Sequence, residues 1–281
     1  MDISIGLPTT VRGLDGSALL DFARAADRAG FAGLGVIDRL VYDNYDSLVS
    51  LAAAAAVTER IRLTSTVLLA SYRGSGTVLA KQLASIDRLS GGRLVVGLSV
   101  GDRADDFEVA GAEFRRRGRL LDGVVRELES VWSAKDIGPA PQPGGPPLLF
   151  GGHSPAAMRR AAEHGIGWIA GGSSGSTYRD LLGTARQKWA DANRTGRLRA
   201  VALTYFCLGP NGRERAGEYL RDYYSYIGPK AQKLAETVAV TPERVREIVA
   251  EYTEADCDEL VLVPCSGDVA QVDRLAAAVL A

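Results

Sequence analysis

Cysteine and histidine are scarce in this chain: its 281 residues hold three cysteines and two histidines. Cys207, Cys257 and Cys265 are odd in number and share no metal-ligand spacing. Neither a disulfide framework nor a Cys/His zinc centre is therefore expected, and no metal site is assigned. Charge of one sign is missing too, since 33 Lys and Arg face 34 Asp and Glu for a formal net charge of -1. That balance gives no electrostatic basis for gripping nucleic acid. No run of about 18 apolar residues exists to cross a bilayer, and no basic segment followed by an apolar stretch opens the chain. These absences lead us to expect an unprocessed, soluble cytoplasmic protein whose partner is a small molecule, with no nucleic acid and no membrane involved.

What the chain has is strand and helix in alternation. Ile3 to Leu7 reads as a short apolar strand, and Leu19, Leu20, Phe22, Ala23 and Ala26 give a helix one apolar face that stops at Gly30. Leu34 to Ile37 is a second strand, Asp46 to Thr58 an alanine-rich helix, and Ile61 to Leu69 a β-branched strand. Leu79, Leu83, Ile86 and Leu89 then recur at helical spacing, with Gly91 and Gly92 free to end the helix. The continuous apolar run Leu94 to Leu98 follows, as expected of a parallel strand buried on both faces. Leu120 to Trp132 forms a clean helical stripe closed by a loop from Gly138 to Pro147. Leu148 to Phe150, Trp168 to Ala170, Ala200 to Cys207 and Leu260 to Val263 complete the strands. Eight βα units in series predict an α/β fold, a (β/α)8 TIM-type barrel in a single domain over residues 1–281. Thr241-Pro242-Glu243 opens a fresh helix, so Asn211 to Val240 reads as a helical segment inserted after the seventh strand.

In such a barrel, function sits on the loops that follow the carboxyl ends of the strands. Asp38-Arg39, Thr66-Val67, Ser99 to Asp106, Gly151 to Ser154 and Gly171 to Ser176 all fall on that rim. Gly151-Gly152-His153-Ser154 runs into a helix with Ser154 as N-cap and Pro155 at its first position, so free N–H groups suit a phosphate there. Gly171-Gly172-Ser173 repeats the arrangement, and His153 is placed to donate to the same anion. The other histidine, His164, ends its helix and is read as favouring the negative dipole end. Arg115, Arg116, Arg117 and Arg119 are read as a solvated face. Tyr219, Tyr223, Tyr224 and Tyr226 crowd into the inserted segment, as a wall over a substrate or as a packed dimer surface.

Asp38 at the end of the glycine-bearing second strand, LAKQLASIDRLSGGRLVVGLSVG, FRRRGRLLD and PPLLFGGHSPAAMRRAAEHGIGWIAGG together resemble the bacterial luciferase-like family of flavin- and deazaflavin-dependent oxidoreductases. The likeness runs from about Gly30 to Gly172 and thins beyond Gly175. It implies a TIM-type barrel, often a homodimer, that holds FMN or, alternatively, the deazaflavin coenzyme F-420 at the carboxyl end. The reaction implied is hydride transfer to or from a small organic substrate, or flavin-peroxide oxygenation of it. The resemblance assigns Thr66, Val67, Ser99, Gly101, Gly151, Gly152, His153, Gly171, Gly172 and Ser173 to the cofactor, with a cis peptide at Thr66-Val67. It points to Asp102 and Asp38 for catalysis, with Arg39 beside them; read from the residues themselves, Arg39 can hold a substrate carboxylate or a flavin carbonyl, Arg103 can pair with Asp102 or anchor an anionic substrate, and Tyr223 and Tyr224 line the substrate. Asp102 is expected in a water-poor pocket beside the ring, where its pKa would rise and it would deliver a proton; the plainer reading makes it a turn cap beside Asp105 and Asp106. Arg39 is a departure, because many deazaflavin relatives carry a histidine base there and arginine cannot act as one. The plainer reading of Asp38-Arg39 is an ion pair on the rim. Two other readings stand beside the enzyme: a non-catalytic flavin-binding protein, and a flavin-free barrel enzyme for a phosphorylated substrate.

Overall fold

A computed structural model describes residues 1–134 and 136–280. Eight parallel strands close into one barrel in chain order: β1 (Asp2–Gly6), β2 (Gly33–Val36), β3 (Arg62–Leu69), β4 (Leu94–Ser99), β5 (Leu148–Gly151), β6 (Gly167–Gly171), β7 (Arg199–Phe206) and β8 (Glu259–Pro264). The ring closes through β1 and β8, with Ile5 opposite Leu262. Outside it lie α1 (Gly16–Ala29), α2 (Ser47–Val57), α3 (Gly76–Leu89), α4 (Ala104–Val109), α5 (Arg117–Ser133), α6 (Pro155–His164), α7 (Gly175–Asp191), α10 (Pro242–Glu254) and α11 (Ala270–Val279). Between β7 and α10 come α8 (Gly212–Tyr223) and α9 (Lys230–Thr237), joined by a short 3-10 turn at Ser225–Ile227. No helix among the described residues is long and apolar enough to cross a membrane.

Strand alternation divides the core in two. In β7, Val201, Leu203 and Tyr205 point into the barrel, while Ala200, Ala202 and Phe206 pack outward against helices. The inner core therefore stacks Val95, Leu149, Ile169, Val201 and Val261, and the inserted segment continues it across the mouth through Tyr219, Leu220 and Tyr223 of α8 and Ala235 of α9. At the opposite pole Glu259 is buried and takes hydrogen bonds from Ser4 Oγ at 2.5 Å and Arg199 Nη2 at 2.6 Å, with Arg62 Nη2 at 3.1 Å. Burial pushes its carboxyl upward most strongly of any single influence, but Arg62, Ser4 and Arg199 together hold it below the ordinary glutamate value.

One position in the expected helical stripe is wrong. Leu89 is 66% exposed, and the buried face of α3 runs instead through Leu79, Leu83 and Ile86 to Asp87 and Ser90. At 100° per residue Leu89 falls about 80° to one side of Leu79 while Leu83 and Asp87 fall to the other, which leaves Leu89 about 100° from the centre of that face. Asp87 is buried there because its carboxylate accepts the backbone N–H of Gln142 at 2.7 Å, tying the loop before β5 to the helix.

Candidate active site at the carboxyl rim

The floor of the rim is built on a break in strand pairing. Residues pair regularly between β3 and β4 up to Ser65 opposite Val96, then slip so that Leu68 faces Leu98. The bulge contains Thr66 and Val67, joined by a cis peptide. Glycines on the neighbouring strands make the space for it: a Cβ on Gly97 would stand 2.3 Å from the Ser65 carbonyl oxygen, and one on Gly151 2.8 Å from Val67 Cγ1. Val67 and Ser99 stay partly exposed, and Ser99 Oγ donates to the Gly151 carbonyl at 3.3 Å. The hydroxyl of Thr66 is buried without a partner.

Beside that floor, two helix N-termini open onto one edge, because β5 and β6 are adjacent and parallel. Gly152 N–H donates to the Ile169 carbonyl at 3.3 Å and Gly172 N–H to the Leu203 carbonyl at 3.2 Å. Gly152 has φ +127 and Gly172 φ +66, so a side chain at either would be strained. Ser154 caps α6 by accepting from Ala157 N, with Pro155 at the first position, and Ser174 caps α7 by accepting from Thr177 N. Trp168 Nε1 pins the first turn by donating to the Gly152 carbonyl at 2.7 Å. Among the described residues the Ser173 hydroxyl is buried with no partner, and His153 is exposed. Glycine turns, positive helix ends and an orphaned hydroxyl fit a phosphate-bearing ligand.

The other side of the mouth is roofed with tyrosine. Tyr219 and Tyr223 stack with centroids 5.8 Å apart, Tyr219 shares a 2.6 Å hydrogen bond with Thr10, and Tyr205 and Tyr224 share one of 2.7 Å between hydroxyls. Tyr226 reaches across to Asp102, and the Arg103 guanidinium lies 4.3 Å from the Tyr226 ring centroid. Burial pushes the phenols of Tyr205, Tyr219 and Tyr223 well above their usual value and that of Tyr224 up to about 12. These groups face the mouth as neutral hydroxyls. Tyr223 is buried against the barrel, which makes it a wall of the mouth and not a dimer surface.

The acidic residues differ most from their sequence reading. Asp38 and Arg39 do not form a rim pair. Asp38 is buried and accepts from Ser47 Oγ at 2.9 Å, Leu69 N at 2.9 Å and Arg73 Nη2 at 2.8 Å, so it braces the end of β3. Arg39 turns the other way, donating to the Tyr223 carbonyl at 2.9 Å with its guanidinium 4.3 Å from the Tyr42 ring centroid. Asp102 is exposed rather than held in a dry pocket, because it ends a loop that the inserted segment meets from outside. It caps nothing: the residue before α4 is Arg103, with no side-chain cap. Arg103 pairs not with Asp102 but with Asp105 at 2.6 Å and, more loosely, Asp106 at 3.5 Å.

Residues 1–279 match the family described as luciferase-like monooxygenase. The chain belongs to that family. A curated but uncharacterised protein of Mycobacterium tuberculosis is similar to this luciferase-like chain, 28% identical over 63% of it and 73% of the relative. An F420-dependent secondary alcohol dehydrogenase, solved with an F420-acetone adduct, superimposes with a TM-score of 0.81 at 16% identity, covering 100% of this chain and 99% of its own. The oxygenating constituent of 3,6-diketocamphane monooxygenase from Pseudomonas putida, a type II Baeyer-Villiger enzyme solved with FMN, gives 0.73 at 15% identity, covering 98% and 96%. Membership supports an oxidoreductase of the luciferase-like kind, and the two structural likenesses show the shared barrel fold.

The sequence reading missed Arg73 on the luciferase-like rim, and it missed what Asp106 binds. Arg73 is the partner of Asp38, 35 positions away, and no local pattern marks it. Asp106 is fully buried and accepts from Leu40 N at 3.2 Å and Val41 N at 2.7 Å, stapling the loop after β2 to α4. A depression of about 520 Å³ lies at the amino pole beside Asp2, Arg197, Arg199 and Asp258, where every acid is paired with arginine; it has the polarity of a surface ion network, not of a substrate site.

Proposed function

We propose that the chain is an FMN-dependent oxidoreductase acting on a small organic substrate, with FMN bound across the β3 to β6 side of the mouth. The observation that carries this reading is the bulged, glycine-packed floor at Thr66-Val67 beside the paired N-termini of α6 and α7. Gly151, Gly152, Gly171, Gly172, Ser173 and His153 would hold the phosphate, and Thr66, Val67, Ser99 and Gly101 the ring. When bound and reduced, the flavin supplies a hydride or activates oxygen. The chain orients and shields: Asp38 braces β3 through Arg73, and Tyr223 and Tyr224 exclude water above the substrate. Arg39 at the position of the base used by deazaflavin relatives favours FMN. Coenzyme F-420 is the second reading, supported by a carboxylate, Asp102, on the loop after β4.

Adding each cofactor separately and following absorption and fluorescence quenching tests the reading. FMN should bind, and Gly152→Asp should abolish binding through backbone strain and repulsion. A protein that binds neither ring overturns it, and normal affinity in Gly152→Asp removes the phosphate turn. We also propose a homodimer, supported by Val49 on α2 and Val78 on the neighbouring α3, 66% and 56% exposed. Sedimentation should give twice 29.8 kDa, and Val49→Asp with Val78→Asp a monomer. The three buried, unpaired cysteines support a cytoplasmic location.

A further inference from the structure

Arg39 is 8% exposed, and no carboxylate of the described residues lies within 4.0 Å of its guanidinium. Its contacts are the Tyr223 carbonyl and the rings of Tyr42 and Tyr223, and its Nε has no partner. Arg103, 6% exposed, has acids on one edge and leaves Nη1 unpartnered. Asp106 brings the two together by binding Leu40 N and Val41 N while its other oxygen faces Arg103 Nε. A guanidinium taken out of water with free N–H groups is costly unless an anion completes it. Burial first, then the charge of Arg103, hold the Arg39 pKa below its usual value.

We infer that Arg39 and Arg103 form an oxyanion pocket under the tyrosine roof and that the organic substrate carries a carboxylate. Planar guanidinium edges match a carboxylate in two-point fashion. Tyr223, between Tyr219 and Arg39, and Tyr226, between Tyr224 and Arg103, fix the two guanidinium planes beneath the roof. The pocket is distinct from the phosphate turns of β5 and β6, and naming the substrate's charge rests on reading the mouth as a flavin site.

The test uses benzoate and its neutral isostere benzamide, titrated into the full chain by tyrosine fluorescence and thermal unfolding, with FMN titrated in parallel. Benzoate should raise the melting temperature and bind at least about tenfold more tightly than benzamide. Arg39→Gln and Arg103→Gln should erase that preference, and Arg39→Lys, which keeps the charge without the fork, should retain part of it. Equal binding of benzoate and benzamide, or a preference that survives in both glutamine variants, overturns the pocket. FMN binding without a benzoate preference ends this inference and leaves the cofactor reading standing. A benzoate preference without binding of either ring does the reverse.

Discussion

Tyr226 donates from one hydroxyl to both carboxylate oxygens of Asp102, at 3.1 and 3.3 Å, and so joins the inserted segment after β7 to the loop after β4. The contact closes the tyrosine roof over the side of the mouth that carries Arg103. Burial and the nearby carboxylate both raise the Tyr226 phenol, so it remains a donor through the working pH range. Tyr226→Phe should cost about 1 kcal/mol or less, since one hydrogen bond at an exposed acid is lost. Hydrogen exchange of residues 224–228 should nevertheless quicken, because the segment opens locally before the barrel does. Unchanged exchange there would show that the roof is held by packing alone.

The brace between Asp38 and Arg73 makes a separate prediction. Their side chains are 1% and 18% exposed, so removing the acid leaves a mostly buried guanidinium with only the more exposed Asp46, at 3.2 Å, as an ionic partner. Asp38→Ala should destabilise the protein by about 3 kcal/mol, read from the urea midpoint at pH 7. A catalytic role with no structural one would leave that midpoint where it was.

Two glycines provide a matched pair. Gly97→Ala places a methyl 2.3 Å from the Ser65 carbonyl, against backbone that also holds the Ser65 Oγ to Gly97 O hydrogen bond of 2.9 Å. The bulge must move, at a cost of about 1–3 kcal/mol, and FMN binding should fall with it. Gly123→Ala in α5 meets nothing within 4 Å and should stabilise the helix by about 0.8–1 kcal/mol without touching FMN affinity.

Glu259 predicts an acid dependence at the pole farthest from the mouth. Its folded pKa lies below the ordinary 4.5, so its stabilising contribution is fully present above that value and is lost as pH falls through the lower folded pKa. Stability of the wild type should therefore decline below about pH 4.5 in part through this group. Glu259→Gln should flatten that part of the slope and, by leaving Arg62 and Arg199 with only the exposed Asp2 between them, lower stability at pH 7 by about 3 kcal/mol. Urea midpoints from pH 3.5 to 7 check both; an unchanged slope would place the acid sensitivity elsewhere.

Much of the fold was legible along the chain because the information is local. The continuous apolar run Leu94 to Leu98, the caps at Ser154 and Thr241, and the glycines at 91 and 92 each act within a few residues of themselves. Strand ends moved by a residue or so, as where β4 continues to Ser99, since the last pairing depends on a neighbouring strand. The single register error in α3 arose because leucine at position 89 is apolar but sits off the buried face, while Asp87 finds a backbone donor in a distant loop.

The sequence by itself determined the order of strands and helices, the closed barrel they require and the glycine-lined helix starts on one rim, because period, capping and turn chemistry are short-range. Tertiary structure alone decided which charges meet. It gave Asp38 to Arg73 rather than to its neighbour, turned Arg39 toward Tyr223, and left Asp102 in solvent against Tyr226. Partners separated by 35 to 184 positions are chosen by the closure of the ring, and a side chain's nearest neighbour in sequence points to the opposite face of a strand or away around a loop.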